Sequence, residues 1–399
     1  MAGPNPPIRT QRHTIFLLAL CEALTRTSTI VVLATMALTG RALAPHPGLA
    51  TLPLALVPIT TMLTTVPAAH WMQRRGRRAG FALGAALGAL GGFICAVAVI
   101  KQLFFLLCLG ALFLGMVNGF ATYYRFAAAE VAAPDYRSRA ISLVMGGGVI
   151  AAFTGSNLAN WSSGWIDQAL FAGSFFSLAA VHLLVIGVLR LAALPQPQNE
   201  AQTQPSRSLA TLALQPNFIL ALVGAVCSYG VMSLLMNATP LSMQRHHHPF
   251  ADTTWVIQWH VLGMYVPSFF TGHLIGRFGE TRIMLAGVLV ILTAVAVNTG
   301  GVELMYYWAG LTLLGLGWNF LFVGATSLLT TTYEPWEKAK VQSTNDFLVF
   351  GAMALVTGLA APLEAHFGWS ALNQATVPVL LLVGLGIAWL HVRQRMGQT

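Results

Sequence analysis

Twelve apolar runs, each about as long as a helix that crosses a bilayer, follow one another through this chain of 399 residues. They lie near 14–38, 50–72, 79–100, 103–125, 140–161 and 168–193, then near 218–240, 253–275, 282–299, 305–328, 342–362 and 373–392. Unpaired backbone groups in lipid cost several kcal/mol each, so such runs are expected to be helical throughout. Only 8% of the residues are charged, against about 25% in a soluble domain. A soluble enzyme, a disordered chain and a nucleic-acid binder are excluded on that ground, despite a formal net charge of +9. The polar N-terminus leads into a long apolar run with no small-residue cleavage site, which reads as a retained first span rather than a signal peptide. The fold class expected is an all-α polytopic membrane protein.

The two halves repeat each other. Phe16-Leu-Leu-Ala-Leu matches Phe218-Ile-Leu-Ala-Leu, Arg74-Arg75-Gly76 matches Arg277-Phe278-Gly279, and Asn118 matches Asn319, at offsets of 202, 203 and 201. Pro134, Arg137, Arg139 and Ser142 match Pro335, Lys338, Lys340 and Ser343, again at 201. Six-helix halves are therefore expected over 1–194 and 218–399, joined by a polar linker over 195–217 that contains PQPQNEAQTQPSRS. With the N-terminus inside, sixteen Lys and Arg fall in cytoplasmic segments and three (Arg41, Lys101 and Arg245) outside. That bias predicts cytoplasmic termini and explains the basic balance as topology rather than nucleic-acid binding.

The segment Ala69-His70-Trp71-Met72-Gln73-Arg74-Arg75-Gly76-Arg77-Arg78 resembles the loop between helices two and three of the major facilitator superfamily, Gly-x-x-x-Asp-Arg-x-Gly-Arg-Arg. The acidic position is Gln73 here, and the second copy, Gly272 to Gly279, lacks the acid too. The resemblance covers the whole chain and implies twelve helices in two parallel six-helix repeats, working by alternating access. The missing acids depart from the family's usual charge lock at the inward gate, where Arg74, Arg78 and Arg277 are the candidate gate residues.

Polar side chains at membrane depth are costly and so are functional candidates. Glu22 and Arg26 are spaced to pair on one helical face. They read as a structural pair or gate lock, or with Asp346 as a proton-coupling site; Asp346 reads equally as a helix-start residue. Asn118 and Asn319 read as interhelical hydrogen-bond partners.

Met232 and Met236 on the seventh span, and His260 and Met264 on the eighth, are each i, i+4 pairs. Counted from Pro240 and Thr253, Met232, Met236, His260 and Met264 lie about 12, 6, 10 and 16 Å from the outer ends of their helices at 1.5 Å per residue. Three thioethers and an imidazole form a soft set suited to Cu(I). Composition alone yields each spacing about 0.5 and 0.4 times per chain, so core packing is the competing reading. The stretches Met236 to Met243 and Trp255 to Ser268 are similar to the CcoA-like branch of the superfamily, which carries Met-x-x-x-Met on helix 7 and His-x-x-x-Met on helix 8. Membership of that branch implies copper import for assembly of cbb3-type cytochrome c oxidase, with these four residues holding the metal. Met243 and the outer-loop cluster His246, His247 and His248 would then be the metal's entry path, or otherwise a membrane-edge anchor and a solvated loop. In the first half Pro58 and Met62 stand where His260 and Met264 stand in the second, so the motif is not duplicated.

A sister group of that branch is associated with riboflavin uptake. The alternative cargo is therefore a small organic molecule such as riboflavin or a drug, stacked on aromatics that include Trp255, Trp259, Trp318 and Tyr229. Cys21, Cys95, Cys108 and Cys227 read as packed thiols, and the glycines of the third and fifth spans as close-packing positions rather than phosphate loops. A non-enzymatic carrier of the bacterial inner membrane follows, with no prosthetic group and copper as cargo. Its expected partners are the bilayer and a cytoplasmic copper chaperone, with no nucleic acid and a monomeric state.

Overall fold

The computed structural model describes residues 8–133, 136–194, 207–334 and 337–396. The greater part of the expected linker, 195–206, lies outside the described residues. Within them the chain is helical, with no strand.

The first half holds α1 (Ile8–Leu43), α2 (Leu52–Arg75), α3 (Arg77–Lys101), α4 (Phe104–Ala121), α5 (Tyr124–Val131), α6 (Arg137–Met145), α7 (Gly147–Ser162) and α8 (Ala172–Leu191). After the short α9 (Leu209–Ala213), the second half holds α10 (Pro216–Arg245), α11 (Phe250–Tyr265), α12 (Ser268–Phe278), α13 (Glu280–Asn298), α14 (Leu304–Thr330), α15 (Lys338–Gln374) and α16 (Val377–Met396). Every apolar run read from the sequence falls on a helix or on a broken pair of helices. Among the described residues, nine helical stretches are long and apolar enough to cross a membrane, and the longest, Lys340–Gln394, takes in α15 and α16. The two runs left over are α6–α7 and α11–α12. Their longest unbroken pieces are 16 residues, because the helix is interrupted at Gly146 and again at Val266-Pro267, where proline supplies no N–H to the ladder.

The chain divides into two compact units. One is residues up to Pro45 together with Leu52–Glu200, and the other is His46–Thr51 with Ala201–Thr399. In the first unit α1 packs on α7, α2 on α4, and α3 on α4 and α8. In the second α10 packs on α15, α11 on α14, and α13 on α14 and α16. The packing scheme repeats with the sequence offset. Gly76 and Gly279, paired by that offset, take the same left-handed backbone (φ 89°, ψ 157° and φ 83°, ψ 157°) at the α2–α3 and α12–α13 turns. That geometry is open to glycine and strained for any other residue.

Small residues set the helix spacing, as the sequence suggests. A Cβ on Gly88 would sit 2.7 Å from the ring of His182, and one on Gly92 would sit 2.8 Å from the Ala179 backbone nitrogen. All four cysteines are buried free thiols. The apolar runs underestimate helix length at the ends: α1 already begins at Ile8, because the polar segment Arg9 to His13 continues the helix beyond the apolar stretch.

Candidate functional site

The second unit carries the sulfur and imidazole residues. Met232 and Met236 lie on α10, both 4% exposed; His260 on α11 is fully buried, and Met264, one turn on, is half-buried. α14 packs against both helices. The ring of His260 turns onto α14, where Nδ1 donates to the Leu311 carbonyl at 2.7 Å. Its other nitrogen, Nε2, is buried with no hydrogen-bond partner among the described residues. Close approach makes the bond possible. A Cβ on Gly263 would meet the Thr312 carbonyl oxygen at 2.6 Å, and one on Gly315 would collide with the carbonyl of His260 itself.

Asn319 locks the same interface one turn further. Its Nδ2 donates to the Met264 carbonyl (2.7 Å) and to Ser268 Oγ (2.6 Å), and its Oδ1 accepts from Thr271 Oγ1 (2.6 Å). The side chain therefore bridges the break between α11 and α12. Asn118, its counterpart, accepts a single 3.3 Å bond from Thr29 on α1. Both are interhelical ties, of unequal strength.

The histidines of the α10–α11 loop have individual partners. His246 Nδ1 donates to the Ser242 carbonyl (2.8 Å) and lies 3.2 Å from the Tyr307 hydroxyl, which in turn contacts Ser242 Oγ at 2.7 Å. His248 Nε2 donates to the Val302 carbonyl at 2.8 Å. His247 is exposed with a left-handed φ of 61°. Met243 is fully buried beneath the loop. Among the described residues no group of three or more His, Cys, Asp or Glu is arranged to hold a metal ion, so a metal reading relies on thioethers.

Two aromatic groups cover α14. Trp255 stacks on Trp308 (5.7 Å between centroids, 18°), and Trp259 meets Trp308 edge-on at 5.8 Å. Nearer the other end of α14, Tyr229 meets Trp318 and Phe322 edge-on, and those two rings stack at 5.2 Å. The indole N–H groups of Trp259, Trp308 and Trp318 are buried and unpaired among the described residues. Trp308 and Phe322 were not singled out from the sequence. Their signal was there, since each lies four residues or one short helical stretch from a polar or aromatic neighbour on α14, but it is indistinguishable from ordinary core spacing.

The charged candidates separate into paired and exposed groups. Arg26 Nε bonds Glu22 Oε1 at 2.7 Å, as the i, i+4 spacing anticipates. Asp346 is an exposed residue within α15 whose Oδ1 accepts from Asn345 at 3.2 Å. Arg74 and Arg277 are exposed, and Arg277 lies over the Phe278 ring at 5.4 Å. Arg78 bonds the Ala192 carbonyl. The charge pair near the α2–α3 turn is Arg77 with Glu130 of α5, at 2.5 and 3.1 Å, which the sequence did not single out. In the second unit Arg207 grips Glu337 with its guanidinium (2.6 and 2.9 Å) and its backbone N–H (2.8 Å). The Arg207 guanidinium holds the Glu337 carboxyl down to about 2.

The twofold packing scheme has a counterpart in known sequences. A family model described as Major Facilitator Superfamily matches residues 15–223 and again 221–398. The chain belongs to the Major Facilitator Superfamily. A riboflavin transporter of Brucella anthropi, RfnT, is 38% identical over 374 residues, covering 93% of this chain and 94% of its own. An uncharacterized transporter of the same superfamily, YdeG of Bacillus subtilis, is 27% identical over 405 residues, with 98% and 94% covered. Among solved structures, a bacterial homolog of the human lysosomal transporter Spinster, inward-facing and occupied, superposes with TM-score 0.71 at 16% identity over 99% of this chain and 98% of that one. The human organic anion transporter MFSD10 gives 0.66 at 17%, over 94% and 99%. This major facilitator is therefore a multi-pass membrane transporter. The superfamily resemblance read from the α2–α3 loop holds across the whole chain.

Proposed function

We propose that this transporter carries riboflavin or a closely related planar heteroaromatic across a bacterial cytoplasmic membrane, by alternating access of its two halves with both termini inside. One observation carries this reading: 38% identity to a riboflavin transporter over 93% of the chain. The paired aromatics of α10, α11 and α14 support it, because a flat ring system gains about 0.5–1.5 kcal/mol per stacked or edge-on aromatic contact beyond its buried area. The unpaired indole N–H groups add donors suited to ring carbonyls.

Copper import remains a second reading on a specific observation. Met232 and Met236 are buried in the same unit as a His260 Nε2 that has no partner among the described residues. Thioethers and a neutral imidazole are soft ligands that favour Cu(I).

Expression in a riboflavin-auxotrophic bacterium lacking its own importer separates the two. Growth at low riboflavin and saturable uptake of labelled riboflavin support the flavin reading. Labelled copper uptake that Met232→Ala and Met236→Ala abolish, with no riboflavin uptake at equal protein level, refutes it in favour of copper.

A further inference from the structure

His260 presents a fixed hydrogen-bond acceptor in the interior of a membrane-spanning unit. A carbonyl oxygen only accepts, so the 2.7 Å bond to Leu311 assigns the ring proton to Nδ1. A neutral imidazole carries one N–H, which leaves Nε2 with a bare lone pair. The alternative tautomer would set the Nδ1 lone pair against the Leu311 oxygen lone pairs. The imidazolium would be a desolvated cation, and no carboxylate bonds to this ring among the described residues. The close approach at Gly263 and Gly315 holds α11 and α14 in the register that makes the lock.

Nearly all buried polar side-chain atoms in folded proteins find a partner, so a fully buried, fixed lone pair without one marks a place for a ligand's donor. The polar atoms left open on the same two helices are of the opposite kind. Trp259 is the adjacent residue on α11, Trp308 lies one turn before Leu311 on α14, and both indole N–H groups are unsatisfied. An indole only donates. Trp318, about two turns beyond Leu311 on α14, is a third open donor, and the set nearest in chain to the His260–Leu311 bond is one acceptor and two donors. Its complement is an imide edge, a ring N–H flanked by two carbonyls, which the isoalloxazine ring of a flavin carries at N3.

We infer that His260 Nε2 accepts the imide N–H of the transported ring and so determines specificity for cargo bearing that group. This rests on the flavin reading above and names the atom by which the site would recognise its substrate. Metal ligation by the same lone pair is the competing outcome.

The purified full-length protein in liposomes tests this with riboflavin, 3-methylriboflavin, which lacks the N–H, and Cu(I). A site built around an N–H partner rejects an analogue lacking it strongly. Wild-type protein is expected to favour riboflavin over the methyl analogue by at least about tenfold, a ratio that folding defects do not touch. In His260→Ala the ratio is expected to fall toward one, and in His260→Gln, which keeps an acceptor oxygen, to recover in part. Brisk riboflavin transport with equal transport of the methyl analogue by wild type overturns the assignment and leaves the flavin reading standing. A ratio unchanged by His260→Ala overturns it equally. Copper transport that requires His260, with no flavin transport, overturns both.

Discussion

Gly263→Ala is the sharpest test of the α11–α14 lock. The new Cβ would stand 2.6 Å from the Thr312 carbonyl oxygen and 3.3 Å from the Leu316 nitrogen, both backbone atoms that no rotamer change can move. Ordinary contact begins at 3.4 Å, so the helices must part by roughly 0.8 Å at this point. Applied along the His260–Leu311 line, the same displacement stretches a 2.7 Å bond to about 3.5 Å, beyond useful hydrogen-bonding range. Overpacking of this kind costs about 1–3 kcal/mol, and the weakened bond adds about 1. Alanine's better helix propensity returns about 1. The net expectation is a destabilisation of about 1–3 kcal/mol. It would be read as a lower apparent melting temperature in detergent, together with loss of discrimination at His260. Gly187→Ala on α8 is the control, since nothing lies within 4 Å of its Cβ; it should be neutral or slightly stabilising. A Gly263→Ala protein as stable as the control, with unchanged transport, refutes the account of the interface.

Asn319→Ala removes three side-chain hydrogen bonds at the α11–α12 break; at about 0.6 kcal/mol each in a membrane interior, it should cost about 2 kcal/mol in unfolding assays. Asn118→Ala, with one 3.3 Å bond to lose, should cost a third of that or less. Glu337→Gln should speed proteolysis between the halves, because Arg207 loses its charged partner. The depressed Glu337 carboxyl gives the pH sign. Its contribution is complete above the ordinary value of 4.5 and is lost as pH falls through about 2, so cleavage should be flat from pH 5 to 8 and rise only in acid. Trp308→Ala should weaken riboflavin uptake more than Trp308→Phe, which keeps a stacking face opposite Trp255; equal loss in both would count against stacking.

Much of the architecture was legible because lipid leaves the backbone few options. The run near 282–299 is α13 at Glu280–Asn298, and that near 305–328 is α14 at Leu304–Thr330. Hydropathy marks the lipid-facing length, though, and is blind to helix that continues beyond it, as α1 and α10 do. It also misses interruptions such as Gly146 and Pro267, where the composition stays apolar while the ladder breaks. At the site, i, i+4 spacing foresaw the Glu22–Arg26 pair because both partners lie on one helix. It could not foresee His260 with Leu311, Arg77 with Glu130 or Arg207 with Glu337. Those partners are brought together by packing between elements far apart in sequence. The cargo was the least legible feature. A thioether pair and an aromatic pair both sit on ordinary helical spacing, and the riboflavin alternative drew its main support from a relative rather than from any motif.

The amide of Asn319 does for the Val266-Pro267 break what water does for a bent helix in a soluble protein. It caps the Met264 carbonyl from a neighbouring helix, where the bilayer offers no other donor. A joint insulated in this way can flex without exposing naked peptide groups to hydrocarbon. Its counterpart in the first half, Asn118, reaches α1 and leaves α2 a continuous rod despite Pro58 and Pro67. The α11–α12 pair thus has a joint that its first-half counterpart α2 lacks, and bending of that pair would concentrate at Val266-Pro267, about two turns beyond His260.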